Sequence, residues 1–163
     1  MSSEIVNTTV EEYKKLVESL HSENYEMMVD LTVVDWFRKK EPRFEVVVQF
    51  LSISKNQRKT IKVFVDDEEL SIPSITDIYP SANFYEREAF DMFGINFLEH
   101  PDLTRILMPD DWNGHPLRKN YGSGRIPVQF KNAPKVDELK KDTRKHKVKD
   151  KFDFWAPNSE DGG

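Results

Sequence analysis

The chain has 163 residues, with 24 Lys and Arg against 29 Asp and Glu, a net charge of −5 and no cysteine. One domain with a self-sufficient core is expected at this length, with room for a tail. The missing thiols exclude a disulfide framework, an iron–sulfur cluster on this chain and a thiolate nucleophile. No run of 18 apolar residues exists to cross a membrane.

The opening MSSEIVNTTVEEYKK lacks the basic-then-apolar layout of a signal or transit peptide, so neither is expected. TTVEEYKKLVESL, Thr8–Leu20, predicts a helix: Val10, Tyr13, Leu16, Val17 and Leu20 recur at helical spacing, Thr8 or Thr9 can cap, and Glu11 or Glu12 suits the first turn. Three β-like runs follow, at 25–37, 43–54 and 58–67. In the last, Ile61, Val63 and Val65 point one way and Lys62 and Phe64 the other, and SKNQRK reads as a hairpin loop. Ser74 can cap a short turn that Pro80 interrupts. A second helix then runs from Ser81 to a stop at Gly94. Ala82, Tyr85, Ala89, Met92 and Phe93 share one face of it, and Phe84 and Phe90 widen the apolar arc, which predicts cover by more than one layer. The fold class is α+β: a two-layer domain with helices on a mixed or antiparallel sheet.

Periodicity ends near Pro109. Five of the nine prolines lie at or beyond that point, yet apolar residues such as Leu117, Tyr121, Phe130 and Trp155 continue. Residues 1–121 are therefore expected to form the core domain and residues 122–163 an extended tail that docks on a partner. Residues 131–151 hold nine Lys or Arg against four Asp or Glu, while residues 1–130 sum to −7. The interspersed acids and the lack of an accompanying motif argue against nucleic acid.

Charge is concentrated between Tyr85 and Tyr121. Glu86, Arg87, Glu88 and Asp91 lie on the second helix, with Arg87 and Asp91 four apart. They serve either as carboxylates for acid–base chemistry or as ion pairs that fix the helix; with no nucleophile, metal or cofactor motif beside them, the second reading is preferred. His100 and His115 stand fifteen apart, each followed by a proline (Pro101, Pro116). That spacing suits hydrogen bonding to loop backbone better than a metal site. Arg118 and Lys119, flanked by Leu117 and Tyr121, are candidates to fork onto a partner carboxylate or a lipid headgroup.

The segment SITDIYPSANFYEREAFDMFGINFLEHPDLTRILMPDDWNGHPLRKNY resembles the signature of the C-type, or 30 kDa-type, subunit of the proton-pumping NADH:quinone oxidoreductase, respiratory complex I. Its pattern is matched by Glu86-Arg87-Glu88, Asp91, Met92-Phe93, His100 and Arg105-Ile106-Leu107. It departs at Thr104, where Lys, Arg or Pro is usual. Gly114-His115-Pro116-Leu117-Arg118-Lys119 matches a second block, in which the position of Asn120 is often Asp. The resemblance implies a cofactor-free α+β subunit of the hydrophilic arm, peripheral on the cytoplasmic side of the cell membrane. It implies partners in the D-type, quinone-site subunit and neighbouring iron–sulfur subunits, with FMN and iron–sulfur clusters held by partner subunits, and no catalytic, cofactor-binding or metal residue here. The signature residues, Phe93, Gly94 and Pro101 among them, would then form a subunit interface. Two alternatives stay open: the equivalent subunit of a ferredoxin-linked dehydrogenase or membrane-bound hydrogenase, and a stand-alone acid–base enzyme using Glu86 or Glu88 with His100.

Overall fold

The computed structural model describes residues 2–121, so the expected tail at 122–163 lies outside the described residues. The element order is β1 (Ser2–Thr8), α1 (Val10–Ser22), β2 (Met27–Asp35), β3 (Phe44–Ser52), β4 (Gln57–Val65), β5 (Ser71–Pro73), α2 (Ala82–Phe93) and β6 (Asn96–Leu98). β1 to β4 form one mixed sheet in the order β1-β4-β3-β2, with β1 parallel to β4 and the other pairs antiparallel. β5 and β6 form a separate parallel pair, joined through α2, since parallel neighbours need a crossover.

Alternation in β3 and β4 builds the core. Phe44, Val46 and Val48 pair with Val65, Val63 and Ile61 across the ladder, and all six side chains are buried. In β2 the inward phase changes between Met28 and Leu31, at a register shift between Met28 and Asp30. One extra residue there lets both side chains reach the same interior. Tyr13, Val17 and Leu20 of α1, and Ala82 and Ala89 of α2, complete that core. Helices on a mixed sheet confirm the α+β class.

Three expectations need correction. SSEIVNT is a strand before the first helix, which begins at Val10 rather than Thr8. The short β5 and β6 add a second, smaller sheet that the sequence pattern does not announce. Phe84 does not lie under a second layer: it is 63% exposed.

Candidate functional site

Ala82, Glu86 and Ala89 follow i, i+4, i+7 spacing, so α2 turns Glu86 into the core with two alanines that leave it room. Its carboxylate accepts hydrogen bonds from the Ser74 hydroxyl (2.6 Å) and the Ile75 amide (2.9 Å). Burial pushes its pKa up to about 7, against the pull of those two donors; nearby Asp77 adds to the rise and Lys14 opposes it. Nε2 of His100 stands 4.0 Å from Oε2 of Glu86, and both side chains are wholly buried. Nδ1 of His100 accepts the Asp102 amide (3.0 Å), so the neutral ring carries its proton on Nε2, which faces the Asn83 carbonyl at 3.4 Å. The buried Tyr13 hydroxyl has no hydrogen-bond partner among the described residues. Burial first, and the Glu86 charge second, raise its pKa well above the ordinary phenol value.

The expected Arg87–Asp91 pair along the helix does not form. Each residue instead holds the chain that returns across α2. Arg87 donates to the Thr104 carbonyl (3.1 Å), the Thr104 hydroxyl (3.0 Å) and the Arg105 carbonyl (3.2 Å). Thr104, where the pattern departs from its usual residue, thus supplies Arg87 with an acceptor. Oδ2 of Asp91 accepts three consecutive amides, from Ile106, Leu107 and Met108 (3.1, 2.8 and 2.8 Å), and Oδ1 accepts Nη1 of Arg105 at 2.6 Å. Burial raises the Asp91 pKa, but these amides and Arg105 outweigh it, so the net shift is downward. Nη2 of Arg105 reaches on to the carbonyls of Trp112 and Gly114 (both 3.1 Å). Glu88 is exposed, with no ion pair among the described residues.

The second block folds back on the same helix. Nδ1–H of His115 donates to the Asp91 carbonyl (3.0 Å). Burial lowers its pKa despite that bond, and the Arg118 and Arg105 charges act in the same direction as burial. Both histidines bond backbone, but only His100 takes a loop amide, that of Asp102, while Asn83 and Asp91, whose carbonyls face His100 and His115, belong to α2. No group of three or more Asp, Glu or His suited to a metal occurs among the described residues. The Arg118 amide closes a turn onto the His115 carbonyl (3.2 Å), with Pro116 at its second position. Arg118 does not reach outward as expected: its Nε donates to the Phe93 carbonyl and its guanidinium lies 5.2 Å from the Phe44 ring centre. Gly94, at φ +75°, ends α2, and a Cβ there would stand 2.5 Å from both Arg118 Nη2 and His115 Nε2. Gly114, at φ +89°, leaves space for the Tyr121 ring. Pro101 and Lys119 are exposed.

One cluster lies outside the residues that the sequence singles out. The buried carboxylate of Asp35 takes Nε and Nη2 of Arg43 (both 2.7 Å), the Phe37 amide (2.9 Å) and the Lys119 amide (2.8 Å). Arg43 holds its pKa down to about 2, against burial and with help from the two amides. Nη2 of Arg43 also donates to Asn120 (2.7 Å). An acid in the Val-rich run TVVDWF, at an inward position, was the available signal, because a buried carboxylate demands partners.

Taken together, the charged side chains of the signature fasten irregular backbone to α2 and the sheet, and Glu86 and His100 meet with both side chains wholly buried. They leave Phe84, Leu107 and Leu117 exposed by 63, 62 and 53%.

The fold is shared with solved structures. The trypsin-resistant fragment of Nqo5 superposes with a TM-score of 0.57 at 32% identity, over 61% of this chain and 81% of that one. A chain of the membrane-bound sulfane sulfur reductase, an archaeal respiratory membrane complex, superposes with a TM-score of 0.65 at 24% identity, over 73% of this chain and 71% of that one, and shares the fold alone. Residues 6–125 match the model of the respiratory-chain NADH dehydrogenase 30 Kd subunit, and the chain belongs to that family. The C-type NADH-quinone oxidoreductase subunit of Roseiflexus castenholzii is 50% identical over 106 residues, 65% of this chain and 60% of that protein's length. The C/D-type NADH-quinone oxidoreductase subunit of Chromohalobacter salexigens is 49% identical over 105 residues, 61% of this chain but 18% of that protein. The chain thus spans less than two thirds of the length of either relative.

Proposed function

We propose that the chain is a cofactor-free structural subunit in the hydrophilic arm of an NADH:quinone oxidoreductase, supporting electron transfer from NADH to quinone coupled to proton translocation. FMN and the iron–sulfur clusters belong to its partners, and it sits peripherally on the cytoplasmic side of the cell membrane. The observation that carries this reading is the Asp91–Arg105 clamp. It engages signature charges in holding residues 104–114, and it leaves Ile106 and Leu107 exposed, as Phe84 is on α2, apolar side chains suited to a neighbouring subunit. The D-type, quinone-site subunit is the preferred neighbour, because the Chromohalobacter relative carries the C and D types under one name. Among the described residues no helix is long and apolar enough to cross a membrane, which agrees with a peripheral place. Residues 122–163 are proposed as the partner-docking tail.

The test is a mild-detergent pull-down of the tagged full chain from membranes, read by mass spectrometry. Recovery of the quinone-site subunit, the cluster-bearing subunits and a flavin-binding NADH subunit is the expected result. Recovery without the NADH module would replace it with a ferredoxin- or hydrogenase-linked assembly. Recovery of the chain alone would refute it.

A further inference from the structure

The turn between β2 and β3 packs several cations around one hollow. The Trp36 amide bonds the Arg43 carbonyl (2.8 Å), and the Lys39 amide bonds the Trp36 carbonyl (2.6 Å), closing the loop tightly with Arg38 in a left-handed conformation (φ +59°). A hollow of about 570 Å³ results, with Phe37 in its lining, Arg38, Lys39 and Lys40 along it, and Glu41 and Asp67 also facing it. Arg43 lines it too, but its charge is already met by Asp35. Arg38, Lys39 and Lys40 are exposed and have no carboxylate partner among the described residues.

Two of these three cations are held rather than loose. The Arg38 guanidinium lies 4.9 Å from the Phe37 ring centre, and Nζ of Lys40 lies 4.2 Å from the Trp36 ring centre. Stacking on an aromatic face restricts a long side chain beforehand, so less entropy is lost when an anion binds. The hollow is also continuous with the signature block, because the Lys119 amide and Asn120 are bonded to Asp35 and Arg43 at its edge.

We propose that this hollow binds an acidic segment of a neighbouring polypeptide, with Arg38, Lys39 and Lys40 taking its carboxylates. Glu41 and Asp67 decide the class of partner. A peptide offers backbone N–H groups to them, whereas the densely spaced phosphates of an anionic bilayer or a nucleic acid set like charge against them. The chain's own residues 131–151 carry an excess of five positive charges and do not offer the acidic stretch the hollow takes, whereas Asp153, Glu160 and Asp161 do, and a cross-link to those within the chain overturns the proposal. The proposal rests on the reading that this protein works inside an assembly.

The test is zero-length carbodiimide cross-linking of the membrane assembly purified on the tagged full chain, with peptide mapping. Lys39 or Lys40 is expected in amide linkage to an Asp or Glu of a second polypeptide. K39E/K40E is expected to weaken binding of fluorescein-labelled hexaglutamate to the full chain about tenfold. Circular dichroism matching the wild type secures that the variant is folded. An assembly recovered intact in which Lys39 and Lys40 link only within their own chain, or not at all, overturns the site while leaving the assembly standing. Flotation with phosphatidylglycerol vesicles that K39E/K40E abolishes, without any such cross-link, overturns it in favour of a lipid surface. Failure to recover any partner overturns the assembly reading itself.

Discussion

Glu86 is buried with a pKa near 7 and is the group whose replacement gives the sharpest prediction. Replacing it by Gln keeps the shape: the Gln carbonyl can accept the Ile75 amide, and its NH2 can donate to the Ser74 hydroxyl, which can turn to Thr76 at 2.9 Å. A rise of this carboxyl from an ordinary 4.5 to about 7 on folding is worth about 3 kcal/mol. The sign follows from proton binding. Between the two values the folded chain holds the proton and the unfolded chain does not, so stability is highest below about 4.5 and falls as pH rises towards 7. The groups facing the carboxyl are Ser74, the Ile75 amide, His100, Tyr13, Lys14 and Asp77. Urea unfolding of wild type and E86Q from pH 4.5 to 8.5 isolates Glu86, because other titrations common to both cancel in the difference. E86Q should gain on the wild type by about 3 kcal/mol across this range. A flat difference, or a wild type that gains on E86Q with rising pH, would refute the reasoning and mean that Lys14 and the hydrogen-bond donors hold Glu86 ionised.

Asp91→Asn should cost about 3–5 kcal/mol in denaturant unfolding, because it leaves Arg105 half-buried opposite an amide NH2. It should also open residues 104–108 to protease, while the exposed Glu88→Gln stays within about 0.5 kcal/mol of wild type. Gly94→Ala adds a Cβ at positive φ and against Arg118 and His115, so a loss of about 2 kcal/mol is expected in thermal unfolding. Asp35 has a depressed pKa. Its contribution of about 2 kcal/mol is therefore present above the unfolded value of 3.8 and lost as pH falls towards 2. The stability gap between wild type and Asp35→Asn should hold from pH 8 to 5 and shrink below pH 4.

The long strands and both helices were legible because each repeats its period several times. Val46, Val48, Ile61 and Val63 alternate cleanly, and Tyr13, Val17 and Leu20 recur at helical spacing. β1 was not legible because an edge strand such as SSEIVNT gains its bonds from β4, 55 residues away, and its exposed side chains carry little pattern. SIP and NFL are too short to show a period at all. At the site, residue types were readable and partners were not. Arg87 and Asp91 are neighbours on the helix, but a long-range partner offering several bonds outcompetes a surface pair worth a few tenths of a kcal/mol. The Asp35–Arg43 cluster joins three separate stretches, so no window of sequence contains it.

A common physical reason explains why this stretch resembles an active site. Residues 99–121 contain no helix or strand, so their backbone N–H and C=O groups need partners from elsewhere. Carboxylates meet part of the first need: Asp91 takes the amides of residues 106–108, and Asp35 takes that of Lys119. Arginines meet part of the second: Arg87 serves the carbonyls of Thr104 and Arg105, and Arg105 serves those of Trp112 and Gly114. The buried acids and bases here stand in for a hydrogen-bond ladder. A ladder would have imposed a flat sheet edge or a helical face on this surface. Side-chain clamps instead hold an irregular contour in one shape, with Ile106, Leu107 and Leu117 projecting from it. Such a contour can match one particular neighbour, and its cost in buried charge is offset only if each clamp keeps all its bonds. That is why loss of a single carboxylate, at Asp91, is expected to loosen the whole of residues 104–108.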